Sequence, residues 1–400
     1  MSTNVYAAIE IGTARTVLAV GEAGEGGRLR VFGHAEIPST GVRKSQILDI
    51  NQATQSIRSV LRGIQEKQRK AGNVLNVSNA FLVVSGQHIK VDRFQGQVSV
   101  TGSKVSGEDI NDATRAAHSM ALGRDRELLD IVDQGFEIDS LGGIVQPKGM
   151  SGRVLKLNTL QIHADANRIN DARTAAGEAH LEIIDPLFAA TCAGDAVLSS
   201  ADRRDGALVI DLGAGSTGFA AYTGGYLAQA GVIGVGGDHV TNDIAYAFQT
   251  TQAQAEELKV REASAVIGGG DRSERVKIPG SSPLMESRTV SRRALDTVVD
   301  ARLRELMQIL RRKLEDEELL HLMHAGAFIT GGGAALRGID ALIQRELGMP
   351  VRPGAPIQVD GLEQETRPES FASAAGALLY AHRNCEDRSI FRTIFGGLLK

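Results

Sequence analysis

The sequence predicts an α/β protein built as two related lobes, with a smaller α/β insertion in the first. Three observations predict it. Strand-like and helix-like signals alternate along the 400 residues without low-complexity tracts. One strand–acid–glycine element occurs twice, half a chain apart. Glycine is in excess, 46 residues of 400 against a usual ~7%.

Composition narrows the class further. A chain of 400 residues exceeds one ordinary core and suggests two to four domains or subdomains of ~100–200 residues each. With 44 Lys and Arg against 48 Asp and Glu, the net charge of −4 gives no reason to expect nucleic acid as partner. At 42% hydrophobic residues a disordered chain is excluded. Cys192 and Cys385 are too few for a disulfide framework and fit a reducing compartment. Met1-Ser2-Thr3-Asn4 opens no signal peptide, and no apolar run reaches the ~20 residues of a membrane span. These readings together predict a cytosolic protein without a transmembrane segment.

The elements follow in order. Residues 5–10 and 16–20 read as β-rich runs broken at Ile11-Gly12-Thr13, and 28–37 as a third strand. Residues 51–71 carry helical periodicity through Ile57, Val60, Leu61 and Ile64, closing at Gly72. Residues 80–84 form a short buried strand. From 87 to about 164 the character shifts to a small α/β insertion: strand-like 97–101, helix near 108–122 and strand-like 127–133, punctuated by Pro147, Gly149 and Gly152. A helix near 166–180 leads to β-rich 181–184 before Pro186. Residues 207–211 and 219–222 read as strands, and 241–248 as a helix. Residues 291–323 predict one long helix with Leu295, Val299, Leu303, Leu306 and Leu310 on one side. Residues 327–330 form another buried strand, 350–359 loop and strand, and 370–381 a helix of small residues.

The duplication carries the chemistry. Ala7-Ala8-Ile9-Glu10-Ile11-Gly12-Thr13-Ala14-Arg15-Thr16 superposes on Leu208-Val209-Ile210-Asp211-Leu212-Gly213-Ala214-Gly215-Ser216-Thr217 at a constant offset of 201. A strand that delivers a carboxylate and then turns at glycine brings backbone N–H groups and hydroxyls around a concavity, which suits a phosphate. The carboxylates Glu10 and Asp211 would face Mg²⁺, a cation that prefers oxygen ligands. One such hairpin reads as an ordinary tight turn; two in equivalent halves point to phosphate. Gly234-Val235-Gly236-Gly237-Asp238 before a helix, and Ile329-Thr330-Gly331-Gly332-Gly333-Ala334 at a strand end, offer more bare backbone for a nucleotide. Gly268-Gly269-Gly270 follows no apolar strand and reads as a solvent loop.

At these residues the chain resembles the actin–hexokinase–chaperone ATPase superfamily. Within it the chain is most similar to the FtsA family of bacterial cell-division actin homologues. Glu10 to Thr16 resembles the first phosphate motif, Asp211 to Thr217 the second, and Ile329 to Ala334 the adenosine motif. Ser85-Gly86-Gln87-His88-Ile89 resembles the lead-in to the family's extra subdomain, and Pro147-Lys148-Gly149-Met150-Ser151-Gly152 its exit side. Gly236-Gly237-Asp238-His239-Val240-Thr241-Asn242-Asp243-Ile244-Ala245 and Ala255-Glu256-Glu257-Leu258-Lys259 are similar to two further family segments. One departure stands out: the superfamily's first motif normally starts with Asp, and Glu10 extends that carboxylate by one methylene.

The resemblance implies an actin-like (ribonuclease H-like) fold with ATP and Mg²⁺ between the lobes. Gly12, Thr13 and Arg15 would contact phosphates from one side, and Gly213, Gly215, Ser216 and Thr217 from the other. Gly236 and Gly237 would border the site, Glu256 and Lys259 would lie beside ribose and adenine, and Gly331, Gly332 and Gly333 would pack under the base. From spacing alone Glu256 and Lys259 are a solvated helix pair. The implied organisation is residues 1–86, 165–200 and 366–384 as the first lobe and 87–164 as the insertion. Residues 201–365 form the second lobe, with a smaller subdomain near 246–324, and 385–400 a linker and amphipathic helix.

In that last segment Ile390, Phe391, Ile394, Phe395, Leu398 and Leu399 recur at helical spacing beside Arg388, Arg392 and Lys400. Eleven residues at ~1.5 Å each are too short to span a bilayer. The residues alone leave two readings open: a helix docked on the protein's own core, or one lying in a membrane interface. The family resemblance favours the second. It also implies an ATP-binding, self-associating protein, with at most slow ATPase activity, that tethers the FtsZ ring to the cytoplasmic face of the membrane at mid-cell. Two alternatives stand beside it. A small-molecule kinase of the same fold would need a base, for which Asp185 and Asp195 are the carboxylates at hand. A pilus-assembly relative would share the insertion and lack the lipid-binding tail.

Overall fold

The computed structural model describes residues 5–24, 28–119, 121–268, 274–278, 287–362 and 365–395. Two sheets with the same strand plan form its centre. In the first lobe the order is Glu182–Phe188, Asn79–Val84, Val5–Ile11, Arg15–Ala23, Leu29–Pro38 and Val359–Asp360. In the second it is Val351–Pro353, Gly326–Thr330, Ala207–Leu212, Thr217–Thr223 and Tyr226–Ile233. In each, the strand that ends in the acid has a parallel neighbour on one side and an antiparallel hairpin on the other.

The register repeats with the sequence. Glu10 lies opposite Val17 and Ile11 opposite Thr16; Asp211 lies opposite Gly218 and Leu212 opposite Thr217. Ala8, Ile9, Leu208, Val209 and Ile210 are all fully buried. Central strands covered on both faces must read as continuous apolar runs, and these do.

Helices supply the covers. Ile50–Lys70 buries Ile57, Val60, Leu61 and Ile64, and Asp49 caps it by accepting from the Gln52 N–H at 3.0 Å. Ala189–Val197 and Ala372–Phe395 lie together against the first sheet and the strands beyond it. Their approach is close: a Cβ at Gly376 would sit 1.7 Å from the Cys192 carbonyl oxygen. The run Ala-Ala-Thr-Cys-Ala-Gly-Asp-Ala-Val is almost wholly buried, so no apolar stripe marked it as a helix in the sequence.

The insertion is a four-stranded antiparallel sheet, ordered Lys90–Ser99, Val154–Asp165, Arg126–Ile138, Leu141–Ile144, with helix Gly107–His118 on it. Gly96 lets that helix approach, since a Cβ there would meet the Ala117 nitrogen at 2.3 Å. The 12-residue strand Val154–Asp165 is not among the elements expected from the sequence, which include only the Pro and Gly punctuation before it. The insertion grows from the first lobe yet also touches the second. Gln134 Nε2 donates to the Leu227 and Ala228 carbonyls at 3.2 and 3.0 Å, and Arg93 pairs with Glu317 at 2.7 Å.

Four boundaries differ from expectation. Strand Glu182–Phe188 runs through Pro186, with a register shift between Ile183 and Pro186 where the ring removes a donor. The long helix stops at Asp316, because Glu318 turns to φ 54°, and a 3₁₀ turn Leu320–Leu322 follows. The chain returns to the first lobe by Val359 rather than 366, where Val359 pairs with Leu29 and Arg28 holds Asp360 at 2.9 Å. Finally, no linker separates 372–384 from the tail: the helix continues from Ala372 to Phe395. Beyond Gly376 that stretch contains neither Gly nor Pro to break it. The side chains of Ile390, Phe391, Arg392, Ile394 and Phe395 lie outside what the structure describes, as do Leu398, Leu399 and Lys400 altogether. Gly269 and Gly270 of the third glycine cluster also lie outside the described residues.

Candidate functional site

A cleft of about 500 Å³ opens between the two sheets, where both duplicated turns meet. Of the residues singled out by sequence, Glu10, Gly12, Thr13, Arg15, Asp211, Gly213, Gly215 and Ser216 line it. So do Gly236, Gly237, Glu256, Lys259, Gly331, Gly332 and Gly333.

The two turns are built alike. The Gly12 N–H donates to the Arg15 carbonyl at 3.0 Å, and the Gly213 N–H donates to the Ser216 carbonyl at 3.1 Å. Those two amides therefore close their own turns. The tips, Thr13-Ala14 and Ala214-Gly215, are what the turns present to the cleft. The lobes meet at the tips. A Cβ on Gly215 would lie 2.5 Å from Thr13 Oγ1, and the Ser45 N–H donates to that same oxygen at 2.8 Å. Lys44 and Ser45, both with positive φ, form the tip of a short hairpin that reaches this junction.

One expectation is corrected here. Thr217 does not face the cleft. It is fully buried and donates from Oγ1 to the Val235 carbonyl at 2.7 Å, bracing the loop before Gly236. Thr16, its counterpart, is likewise buried and shares a 2.8 Å hydrogen bond with Ser39. Each is the first paired residue past its turn, which points the side chain inward rather than into the cleft.

Glu10 and Asp211 face the cleft floor from opposite lobes. Burial pushes the Glu10 carboxyl upward, against the hydrogen bond from Ser373 and the charge of Arg15. Burial, then the negative charge of Glu10, pushes Asp211 up to about 7, opposed by a hydrogen bond from Thr330. Two acids that each disfavour the other's charge are a site that a cation would relieve. Their all-oxygen character fits Mg²⁺, which takes one or two carboxylates and completes its shell with water and phosphate oxygens. Among the described residues no cluster of three or more His, Cys, Asp or Glu forms a complete protein cage.

Other groups are already engaged. Arg15 pairs with Glu36 at 2.5 Å. Lys259 Nζ reaches the Glu256 carboxylate at 2.6 Å, Thr241 Oγ1 at 2.9 Å and the Gly237 carbonyl at 3.1 Å. Glu256 also accepts from Thr241. The helix pair is thus tied to the glycine loop: Lys259 is largely covered there, while Glu256 stays half exposed. That loop rests on the second turn: the Gly237 and Asp238 N–H groups donate to the Gly213 and Ala214 carbonyls.

Sequence reasoning missed an apolar wall of Val240, Val260, Leu303, Leu306, Leu336 and Ile339, which suits a flat base. Leu303 and Leu306 were legible only as the inner face of a helix. It also missed Ser373, whose Oγ donates to Glu10 Oε2 at 2.6 Å from 363 residues away. Neither Asp185 nor Asp195 lines the cleft; Asp195 is held by Arg203 at 2.6 Å.

Comparison with known proteins adds to this geometry. A family model described as cell division protein FtsA matches residues 208–376, and one described as the SHS2 domain inserted in FtsA matches residues 86–163. The chain is 31% identical over 388 residues to the protein named cell division protein FtsA of Pseudomonas aeruginosa, covering 96% of this chain and 91% of the relative. It is 32% identical over 393 residues to that of Escherichia coli, covering 94% and 91%. Among solved structures it resembles the PilM–PilN type IV pilus biogenesis complex, at TM-score 0.67 and 20% identity, covering 94% of this chain and 98% of that one. It also resembles MreB5 of Spiroplasma citri bound to ADP, at TM-score 0.57 and 14% identity, covering 96% and 99%. These two likenesses establish the two-lobed actin-like fold.

Proposed function

The chain belongs to the FtsA family of cell division proteins, and we propose that it binds ATP with Mg²⁺ in the cleft, self-associates, and attaches the FtsZ ring to the membrane. The observation that carries the nucleotide reading is the pair of acid-and-turn elements, alike in register and turn closure, that close on one cavity from two lobes. In this reading the tips at Thr13-Ala14 and Ala214-Gly215, with Ser216 beside the second, hold the polyphosphate. Glu10 and Asp211 hold Mg²⁺, whose charge offsets that of the phosphates. The apolar wall takes the base, and Lys259 and Glu256 stand beside the sugar. Catalysis is slow or lacking.

Membrane attachment rests on the terminal sequence. Paired apolar residues at helical spacing with flanking Arg388, Arg392 and Lys400 suit an interfacial helix. Among the described residues no helix is long and apolar enough to cross a membrane. The site of action is then the cytoplasmic face of the membrane at the division site. The pilus-assembly reading, favoured by the likeness in fold, has no use for such a tail.

Two measurements test the proposal. ATP with MgCl₂ should raise the Tm of the full chain, and Gly332→Arg should remove that rise, since bound ligand stabilises the folded state. Deleting residues 388–400 should abolish sedimentation with anionic liposomes. A flat Tm, unchanged sedimentation, or phosphorylation of sugars at enzymatic rates would each sink its part of the reading.

A further inference from the structure

The two cleft acids are held differently. Asp211 Oδ1 receives the Thr330 hydroxyl at 3.4 Å, from the neighbouring parallel strand of its own sheet. Glu10 Oε2 receives Ser373 Oγ at 2.6 Å, from the first turn of helix Ala372–Phe395. A 2.6 Å bond between hydroxyl and carboxylate is in the strong, charge-assisted range. Ser373 is itself buried and lines the cleft. The 3₁₀ turn Pro368–Phe371 that leads into this helix is fixed to the second lobe's glycine run, because the Gly331 N–H donates to the Glu369 carbonyl at 3.1 Å. That run in turn passes so close to the second acid that a Cβ on Gly331 would lie 2.5 Å from Asp211 Oδ1.

Glutamate has one more rotatable bond than aspartate, so its carboxylate samples more positions unless something fixes it. On a cleft floor that must present two oxygens to one cation, this freedom costs affinity. Groups that orient a metal-binding carboxylate typically matter 10–100-fold for metal affinity.

We propose that Ser373 is the positioning residue that fixes the Glu10 carboxylate for a divalent cation, making good the extra methylene of glutamate at this position. The proposal rests on the reading of the cleft as an ATP–Mg²⁺ site. It assigns to the last helix a direct part in the cleft: the helix that runs on into the terminal segment sets a cation ligand at its N-terminal end.

The test is a MgCl₂ titration of the full chain at fixed ATP, read as Tm. Ser373→Ala should raise the half-saturating Mg²⁺ concentration about tenfold, and Ser373→Thr should restore it. Alanine is the better helix former, so folding is not at issue. In a Glu10→Asp background the shorter carboxylate no longer reaches position 373, and Ser373→Ala should cost less than twofold. A merely structural serine would lower the Tm without nucleotide and leave the Mg²⁺ midpoint in place, which overturns the proposal. An equal tenfold loss in the Glu10→Asp background overturns it too. If the unaltered chain shows ATP stabilisation without any Mg²⁺ dependence, the metal reading itself fails, and the inference with it. That outcome is distinct from a normal Mg²⁺ response that Ser373→Ala leaves unchanged.

Discussion

The two lobes share a backbone and differ in how side chains use it. The strand plan repeats, and the register and turn closure of the acid-bearing hairpin repeat at an offset of 201, down to the 3.0 and 3.1 Å bonds that close the turns. Around that frame the environments diverge. The first lobe has a long acid pinned by Ser373 and a guanidinium committed to Glu36. The second has a short acid under Thr330 and two glycine runs, 236–237 and 331–333, packed against its turn. Duplication preserved what the backbone must do for a phosphate and freed what the side chains do around it. The asymmetry is visible at one equivalent pair: Ala14 tolerates its methyl, while Gly215 cannot carry one beneath Thr13.

The largest expected effect breaks the asymmetric part. Gly331 has φ +80°, and a Cβ there would lie 2.5 Å from Asp211 Oδ1 and 2.7 Å from the Leu212 carbonyl oxygen. Gly331→Ala should abolish ATP-dependent stabilisation and cost about 1–3 kcal/mol of folding stability from the strained backbone alone. A preserved ATP shift in that variant would show that the glycine run is not part of the site. The symmetric part is tested by Gly12→Ala and Gly213→Ala. Each added Cβ would meet a turn carbonyl oxygen at 2.8 Å, Arg15 in one lobe and Ser216 in the other. Both should weaken ATP binding by about tenfold, or ~1.4 kcal/mol, and by amounts within a factor of about three of each other. If one substitution is silent in a binding titration, the two turns do not share the phosphate equally.

The symmetry was legible in sequence because it is local. A strand, an acid and a glycine turn need only ten consecutive residues to declare themselves, and repetition raised that signal above chance. What was not legible depended on distance. Ser373 meets Glu10 across 363 residues, and no spacing rule links a helix-start serine to a strand-end acid. Leu303 and Leu306 were read as helix core, which they are; that the same face also walls the cleft follows only from packing. The small-residue helix Ala189–Val197 has no stripe because nearly all of it is buried. Thr217 was misassigned because hydroxyls near a phosphate turn look alike in sequence, while the strand's alternation decides which one turns inward.

The comparison sharpens at the first lobe's flank, where a third acid meets the insertion. Asp130 lies on strand Arg126–Ile138 and is pushed up to about 6 by burial, reinforced by the charges of Asp195 and Asp133 and opposed by the Ile131 N–H. A carboxyl raised above its unfolded value near 3.8 stabilises the fold only while it is neutral. Its contribution is full below about pH 4 and is lost as pH rises through about 6. Asp130→Asn keeps the acceptor for Ile131 and cannot ionise. It should change stability by less than about 1 kcal/mol at pH 4 and raise it by about 3 kcal/mol at pH 8, in urea melts at the two pH values. An equal change at both would mean that Asp130 acts through packing rather than charge.

The smallest effect concerns how the insertion joins the lobes. Arg93 reaches from the insertion to Glu317 at 2.7 Å and to the Ala228 carbonyl at 3.3 Å, but its side chain is 50% exposed. Solvent and salt screen such a pair, so Arg93→Ala should cost less than ~1 kcal/mol, and less still at high ionic strength. Its effect on the cleft should be smaller again. Strand Tyr226–Ile233 shifts register at Ala228, where the insertion touches it, but stays in unbroken register with Thr217–Ala221 from Gln229 to Ile233, and the buried Thr217–Val235 bond anchors the loop at its far end. ATP affinity in the variant should therefore stay within about twofold. A larger loss would mean that the insertion transmits force along that strand to Gly236, so that the second lobe's turn depends on a contact with no counterpart in the duplicated plan.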